Sequence, residues 1–211
     1  MLPTTIPIFP LPNVVLFPNV FLPLHIFEAR YRQMVEAALS GDRIIGMVLL
    51  RPGWEGKYEG RPPVYPIGCA GVITHAERLP DGRFNIVLRG MEKFRIAGEE
   101  ETSEAYRVAS VVPVPEPAAD SVKDAMRGER RRLESLLVPH PEGQPPDPKV
   151  PSAMPDEDLV NALAQYMEFD PVEKQALLER DGLLDRCRSL IELLEMKVLA
   201  ARHSWDREGS H

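Results

Sequence analysis

Hydrophobic positions along this chain follow two rhythms, one up to about residue 117 and another beyond it. In the first part, apolar residues come in short β-branched runs closed by proline, glycine or aspartate. These runs are Ile6 to Pro12, Val14 to Pro18, Ile44 to Leu50, Ile67 to His75, Arg83 to Arg89, Phe94 to Ala97 and Tyr106 to Val112. Such segments predict strands, with the prolines at strand ends and edges. One stretch breaks the pattern. From Ile26 onward, Phe27, Tyr31, Met34, Val35, Ala38 and Leu39 share a helical face, Glu28, Arg30, Arg32 and Glu36 fall largely on the other, and Gly41 supplies a stop. That spacing predicts an amphipathic helix of about three to four turns. Leu79-Pro-Asp-Gly-Arg83 is the strongest turn signal, because Pro pre-sets φ and Asp-Gly tolerates left-handed geometry. The predicted class is α+β, with a small, mostly antiparallel β-barrel or folded sheet carrying one early helix.

Beyond residue 117 the apolar period becomes helical. Val122, Met126, Leu133, Leu136 and Leu137 form one stripe, and Leu159, Leu163 and Met167 a second. A third joins Leu183, Leu184, Cys187, Leu190, Ile191, Leu194 and Val198. Asp170-Pro-Val-Glu173 has the capping-box form and predicts a short helix through Leu178. Pro139 to Pro155 holds seven prolines in 17 residues, a composition that reads as an exposed, semi-extended linker. The expected organisation is a β domain over 1–117, a helical bundle over 118–205 containing the linker at 139–155, and a tail at 206–211.

Composition narrows the function classes. At 211 residues and 44% apolar content the chain can bury a real core. Its first 27 residues carry no Asp, Glu, Lys or Arg, but Pro3, Pro7, Pro10, Pro12, Pro18 and Pro23 would interrupt any spanning helix, and no basic segment precedes the apolar run. Neither a signal peptide nor a membrane span is expected. Cys69 and Cys187 lie far apart without metal or redox spacing, which fits a reducing cytoplasm. The net charge of −7 is uneven: residues 1–117 carry 13 acidic and 12 basic side chains, residues 118–211 carry 19 and 13. Neither part offers the basic field that phosphate-dominated nucleic-acid binding needs.

Several ordered blocks then point to a family. Ile8-Phe-Pro-Leu-Pro-Asn-Val-Val-Leu-Phe-Pro18, Leu22-Pro-Leu-His-Ile-Phe-Glu28 and Arg30-Tyr31 closely resemble the N-terminal domain of Lon proteases. Tyr65-Pro-Ile-Gly-Cys-Ala-Gly-Val-Ile73, Leu79-Pro-Asp-Gly82, Ile86-Val-Leu-Arg-Gly90 and Phe94-Arg-Ile96 continue the match in order. Asp170 to Leu178 and Leu183 to Glu195 are similar to the later helical section of the same region. The resemblance implies a PUA-like β-barrel followed by helices, and a role in recognising protein substrates. No GxxxxGK[ST] phosphate loop occurs in the chain, and an ATPase with a protease domain would need several hundred further residues. The expectation is a stand-alone Lon-N protein without catalytic residues, cofactor or metal.

Candidate chemistry agrees. Ser121 and Lys123, two apart on a helix, point in different directions and make no Ser-Lys dyad. His25, His75 and Cys69 lack the close-spaced pair that zinc wants, and His25 is expected to bond a backbone carbonyl. Glu28, Arg30 and Arg32 read as a solvated helix face, with Glu28 paired to Arg32, and Arg130-Arg131-Arg132 as a face cancelled by Glu129 and Glu134. The loop Arg51 to Pro63 stands apart. It sets Trp54 and Tyr58 among three glycines and charged residues, and aromatics on such loops serve as anchors for peptide partners. The leading expectation is a cytoplasmic module that binds unfolded or extended protein segments through Trp54 and Tyr58. The second is an adaptor that docks onto a Lon-type protease or another assembly through its helical part; RNA binding by the barrel ranks third.

Overall fold

The structure is a computed structural model that describes residues 2–58, 60–117, 119–137 and 154–208, with the backbone alone at 57, 119, 120 and 201–208. Six strands and five α-helices are present among these residues. The strands are β1 (Thr5–Leu11), β2 (Phe21–Ile26), β3 (Ile44–Leu49), β4 (Ile67–Arg78), β5 (Phe84–Glu99) and β6 (Arg107–Pro113). The helices are α1 (Ala29–Ser40), α2 (Lys123–Leu137), α3 (Asp156–Tyr166), α4 (Pro171–Leu178) and α5 (Leu183–Glu208).

All six strands belong to one sheet in the order β2-β5-β4-β3-β1-β6. Only β1 and β3 run parallel, Ile8 lying opposite Gly46; the chain crosses between them through β2 and α1, as a parallel pair requires. The 16-residue β5 pairs through its first half with β2 and through its second half with β6, and β-bulges at Cys69/Gly71, Ile73/His75 and Ile96/Gly98 bend the ladders enough for this. The β5–β6 pairing brings together the two ends of the run β5-β4-β3-β1-β6, as the expected barrel or folded sheet requires, while β2 extends the six-stranded sheet with an edge of its own. Ile6, Ile8, Val48, Phe94 and Val111 pack at its centre.

Several expectations hold and several shift. The Leu79 turn forms as predicted: Gly82 sits at φ +81° and donates its N–H to the Leu79 carbonyl at 2.9 Å, while Leu79 N–H reaches Arg83 at 2.8 Å. Arg83 to Arg89 and Phe94 to Ala97 merge into the single strand β5, because Gly90 to Lys93 stays extended between them. Val14 to Pro18 is buried as predicted but is not a strand. A second strand, β2, occupies Phe21 to Ile26 instead, and α1 therefore starts at Ala29, leaving Phe27 outside it and 62% exposed.

The chain divides into two compact units. The first comprises Met1–Pro115 with Asn161–Glu179, the second Glu116–Val160 with Arg180–His211. The segment Asn161–Glu179, expected in the helical bundle, thus belongs with the sheet. The reason lies in polar side chains. The buried amide of Gln165 accepts the Phe17 N–H at 3.1 Å, Asn161 donates to the Pro18 carbonyl at 3.0 Å, and Gln175 donates to the Ile67 carbonyl at 2.9 Å. The α3 stripe expected from Leu159, Leu163 and Met167 is only half-buried; the buried positions are Val160, Asn161, Ala164 and Gln165. In the second unit α2 packs on α5, whose Leu183, Cys187, Leu190, Ile191 and Leu194 are buried, and Arg186 is fully buried against Glu116. Helix α5 runs on to Glu208, so it enters the expected tail; most of the expected linker, residues 139–153, lies outside the described residues.

Candidate functional site

Three neighbouring segments of the first unit build a cavity: the start of α1, the loop Arg51 to Pro63, and the β5–β6 connection. The chain places them together for separate local reasons. Glu28 is extended at φ −66°, ψ 136°, which frees its side chain to turn back rather than lie along the helix. The loop is held at both ends by backbone bonds, Arg51 N–H to the Pro63 carbonyl and Tyr65 N–H to the Leu49 carbonyl, both at 2.9 Å. Between them Glu55–Lys57 makes one 3-10 turn.

A knot of aromatic and charged side chains joins loop to helix. Tyr58 donates its hydroxyl to Glu28 Oε1 at 2.7 Å. The other oxygen of Glu28 takes Arg30 at 3.0 Å from both Nε and Nη2. The Arg30 guanidinium is thereby fixed between two rings, 4.6 Å from the centre of Tyr31 and 4.9 Å from that of Tyr58, a cation–π sandwich. Burial first, and then the Glu28 carboxylate, push the Tyr58 hydroxyl above the usual phenol range, so it stays a donor. Burial does the same to Tyr31, which packs on Phe9 at 4.3 Å. The charged trio is therefore not the solvated helix face expected: Glu28 pairs with Arg30 and Tyr58, while Arg32 turns to the Asp81 carbonyl at 3.4 Å.

Trp54 and Tyr58 do meet, ring centres 5.5 Å apart and edge to face. Tyr58 lines the cavity with Tyr31, Leu50, Arg61 and Tyr106, whereas Trp54, half-buried, stands behind it. The cavity measures about 230 Å³. Arg107 closes its far wall, bonding both Glu99 oxygens and, at 2.8 Å, the Pro62 carbonyl. A second cavity of about 240 Å³, more apolar, is lined by Ile6, Pro7, Ala38 and Ile44, and Tyr106 lines both.

The remaining candidates separate. His25 bonds side chains rather than a backbone carbonyl, Asn85 at 2.8 Å and Arg83 at 3.3 Å, on the exposed face of β2. Cys69 is buried, and no group of three metal-ligating side chains occurs among the described residues. Arg130 is tied to Glu134 and Asp156, and Arg132 to Glu195, so the basic run is largely neutralised. The edge of β2 is poorly suited to take another strand, because Pro23 has no N–H and the Tyr166 hydroxyl already occupies the Phe21 carbonyl at 2.6 Å. Sequence reasoning missed Arg61, Tyr106 and Arg107, which carry no local motif and meet only through the sheet.

Comparison with known proteins gives this arrangement its context. The model of the ATP-dependent protease La (LON) substrate-binding domain matches residues 5–196. The Lon protease of Flavobacterium johnsoniae is 26% identical over 202 residues, covering 93% of this chain and 24% of that protein. Lon protease 2 of Herpetosiphon aurantiacus is 31% identical over 215 residues, covering 94% and 25% respectively. The chain thus spans about a quarter of the length of these curated relatives. In fold it is similar to the Lon N-terminal domain protein from Xanthomonas campestris, with a TM-score of 0.62 at 21% identity, covering 90% of this chain and 98% of that one. The N-terminal domain of the Mycobacterium avium complex Lon protease gives 0.62 at 20% identity, with the same coverage.

Proposed function

Since the chain belongs to the ATP-dependent protease La (LON) substrate-binding domain family, we propose that it is a non-catalytic module that recognises unfolded or extended segments of other proteins. The observation that carries this reading is the cavity beside the Trp54–Tyr58 loop. It offers aromatic faces and a short apolar floor next to a few fixed polar groups, the chemistry by which a groove holds many different peptide sequences. The defended edge of β2 favours this groove over strand addition. Cytoplasmic action is part of the proposal, supported by two cysteines that form no disulfide; no helix among the described residues is long and apolar enough to cross a membrane.

Titration of the intact chain with a reduced, alkylated and permanently unfolded polypeptide tests it. Saturable binding, weakened by Tyr58→Ala and Trp54→Ala in chains that still unfold cooperatively, is the expected result. Absence of binding at every concentration would remove the proposal's support.

A second reading, docking onto a Lon-type protease, draws on one observation: Met196 and Leu199 of α5 are 64% and 54% exposed. Under that reading a Met196→Glu variant loses co-purification with one fixed partner while still binding unfolded chains.

A further inference from the structure

The charged groups around the cavity are not equally committed, and the imbalance specifies what kind of segment fits. Glu28 holds Arg30 and Tyr58. Glu99 holds Arg107 with both oxygens. Glu104 is bonded to the Tyr106 hydroxyl. Arg61 alone is left with a poor partner among the described residues: its side chain is 50% exposed, and its ion pair is a 3.9 Å contact to Glu99, a carboxylate already taken by Arg107. A guanidinium in that position keeps its planar fork available, and the group that matches the fork is a carboxylate. Arg30 and Arg107 also line the cavity but are committed to Glu28 and Glu99, so the second charge of a phosphate dianion would find no free counterpart beside Arg61.

The second cavity adds spacing. β1 contributes Pro10 to the Arg61 cavity and Pro7 to the apolar one, three residues or about 10 Å of strand. An extended segment crossing both cavities presents alternate side chains to one face, so the two that enter them are two or four residues apart, about 7 or 13 Å.

Resting on the peptide-recognition reading above, we propose that the cavity takes an acidic side chain of an extended polypeptide, paired with Arg61, while the adjoining cavity takes an apolar side chain of the same segment. The site selects Asp or Glu near an aliphatic residue, since Tyr106 lines both cavities and so makes them adjoin.

Fluorescence anisotropy with the intact chain tests this. The probe is a fluorescein-labelled, C-terminally amidated ten-residue Ser/Gly peptide with Leu at positions 2 and 4 and Glu at position 6. Three companions replace Glu by Gln, replace Glu by phosphoserine, or lack the acid but keep a free C-terminus. The Glu peptide is expected to bind about tenfold more tightly than the Gln peptide, the scale of one charge-assisted bond. Arg61→Gln should erase that preference at unchanged thermal midpoint, and Arg61→Lys should restore part of it. Equal affinity for Glu and Gln peptides, or a preference that survives Arg61→Gln, overturns the Arg61 assignment while leaving peptide recognition standing. Equal or tighter binding of the phosphoserine peptide overturns the carboxylate assignment, and of the free-terminus peptide the assignment to an acidic side chain. Failure of all four peptides to bind, with the unfolded polypeptide still bound, overturns the two-cavity spacing; failure of both overturns the recognition reading itself.

Discussion

Tyr58 and Glu28 lie 30 residues apart, yet a hydrogen bond between them ties the loop to the start of α1. Charge and burial act on single side chains elsewhere in the same way. Burial pushes the Cys187 thiol up to about 12, so it should form no thiolate near neutrality, and Cys69 is fully buried and out of a reagent's reach. A maleimide should therefore leave both unlabelled in the native chain and modify both in denaturant. Glu157 is held above the usual carboxylate range, by burial first and then by Glu116 and Asp158. Its folded form keeps the proton longer than the unfolded form, so it favours folding at low pH, and that contribution is lost as pH rises above the unfolded carboxylate range and through the raised folded-state one. Glu157→Gln should match the parent chain in urea midpoint near pH 3. Above about pH 4.5 it should become progressively the more stable of the two.

At the scale of elements, the polar face of α3 does what an apolar face does elsewhere. Gln165 satisfies the buried Phe17 N–H, Asn161 the Pro18 carbonyl, and Gly90 of β5 takes the Asn19 N–H at 3.0 Å, so the irregular stretch Val14 to Val20 is held in place without being a strand. Gln165→Ala leaves that donor buried without its acceptor and should cost about 1–3 kcal/mol in denaturant unfolding. The same stretch explains Gly90. A Cβ there would stand 2.0 Å from the Phe17 carbonyl oxygen, backbone against backbone, so no rotamer change relieves it. Gly90→Ala should unfold at markedly lower temperature, whereas Gly98→Ala, with nothing within 4 Å, should not.

For the whole molecule, the two units are not consecutive in sequence. The first gives up the chain after Pro115 and regains it from Asn161 to Glu179. A chain cut at residue 117 would lack Asn161, Gln165 and Gln175 together with the buried Leu177 and Leu178. The prediction is that residues 1–117 alone bind a hydrophobic dye and melt well below the full chain, and that adding Asn161–Glu179 through a linker restores stability. Binding tests on the sheet therefore need that segment.

How much of this was legible beforehand follows from the range of the forces involved. The early helix, the Leu79 turn, the capping box at Asp170, where Glu173 takes the N–H at 2.8 Å, and most strands depend on neighbours in sequence, and local pattern reveals them. The ordered blocks also carried the family. What the sequence could not disclose were contacts paid for by distant partners: the burial of Asn161 and Gln165, whose polarity reads as surface; the turning back of Glu28 toward Tyr58; and the meeting of Arg61, Tyr106 and Arg107. Trp54 and Tyr58 were singled out by composition, but the cavity that gives Tyr58 a use exists only because α1, the loop and the β5–β6 connection converge. Local chain preference determined the elements, and long-range pairing of backbone and side-chain polar groups decided which of them share a core and where a cavity opens.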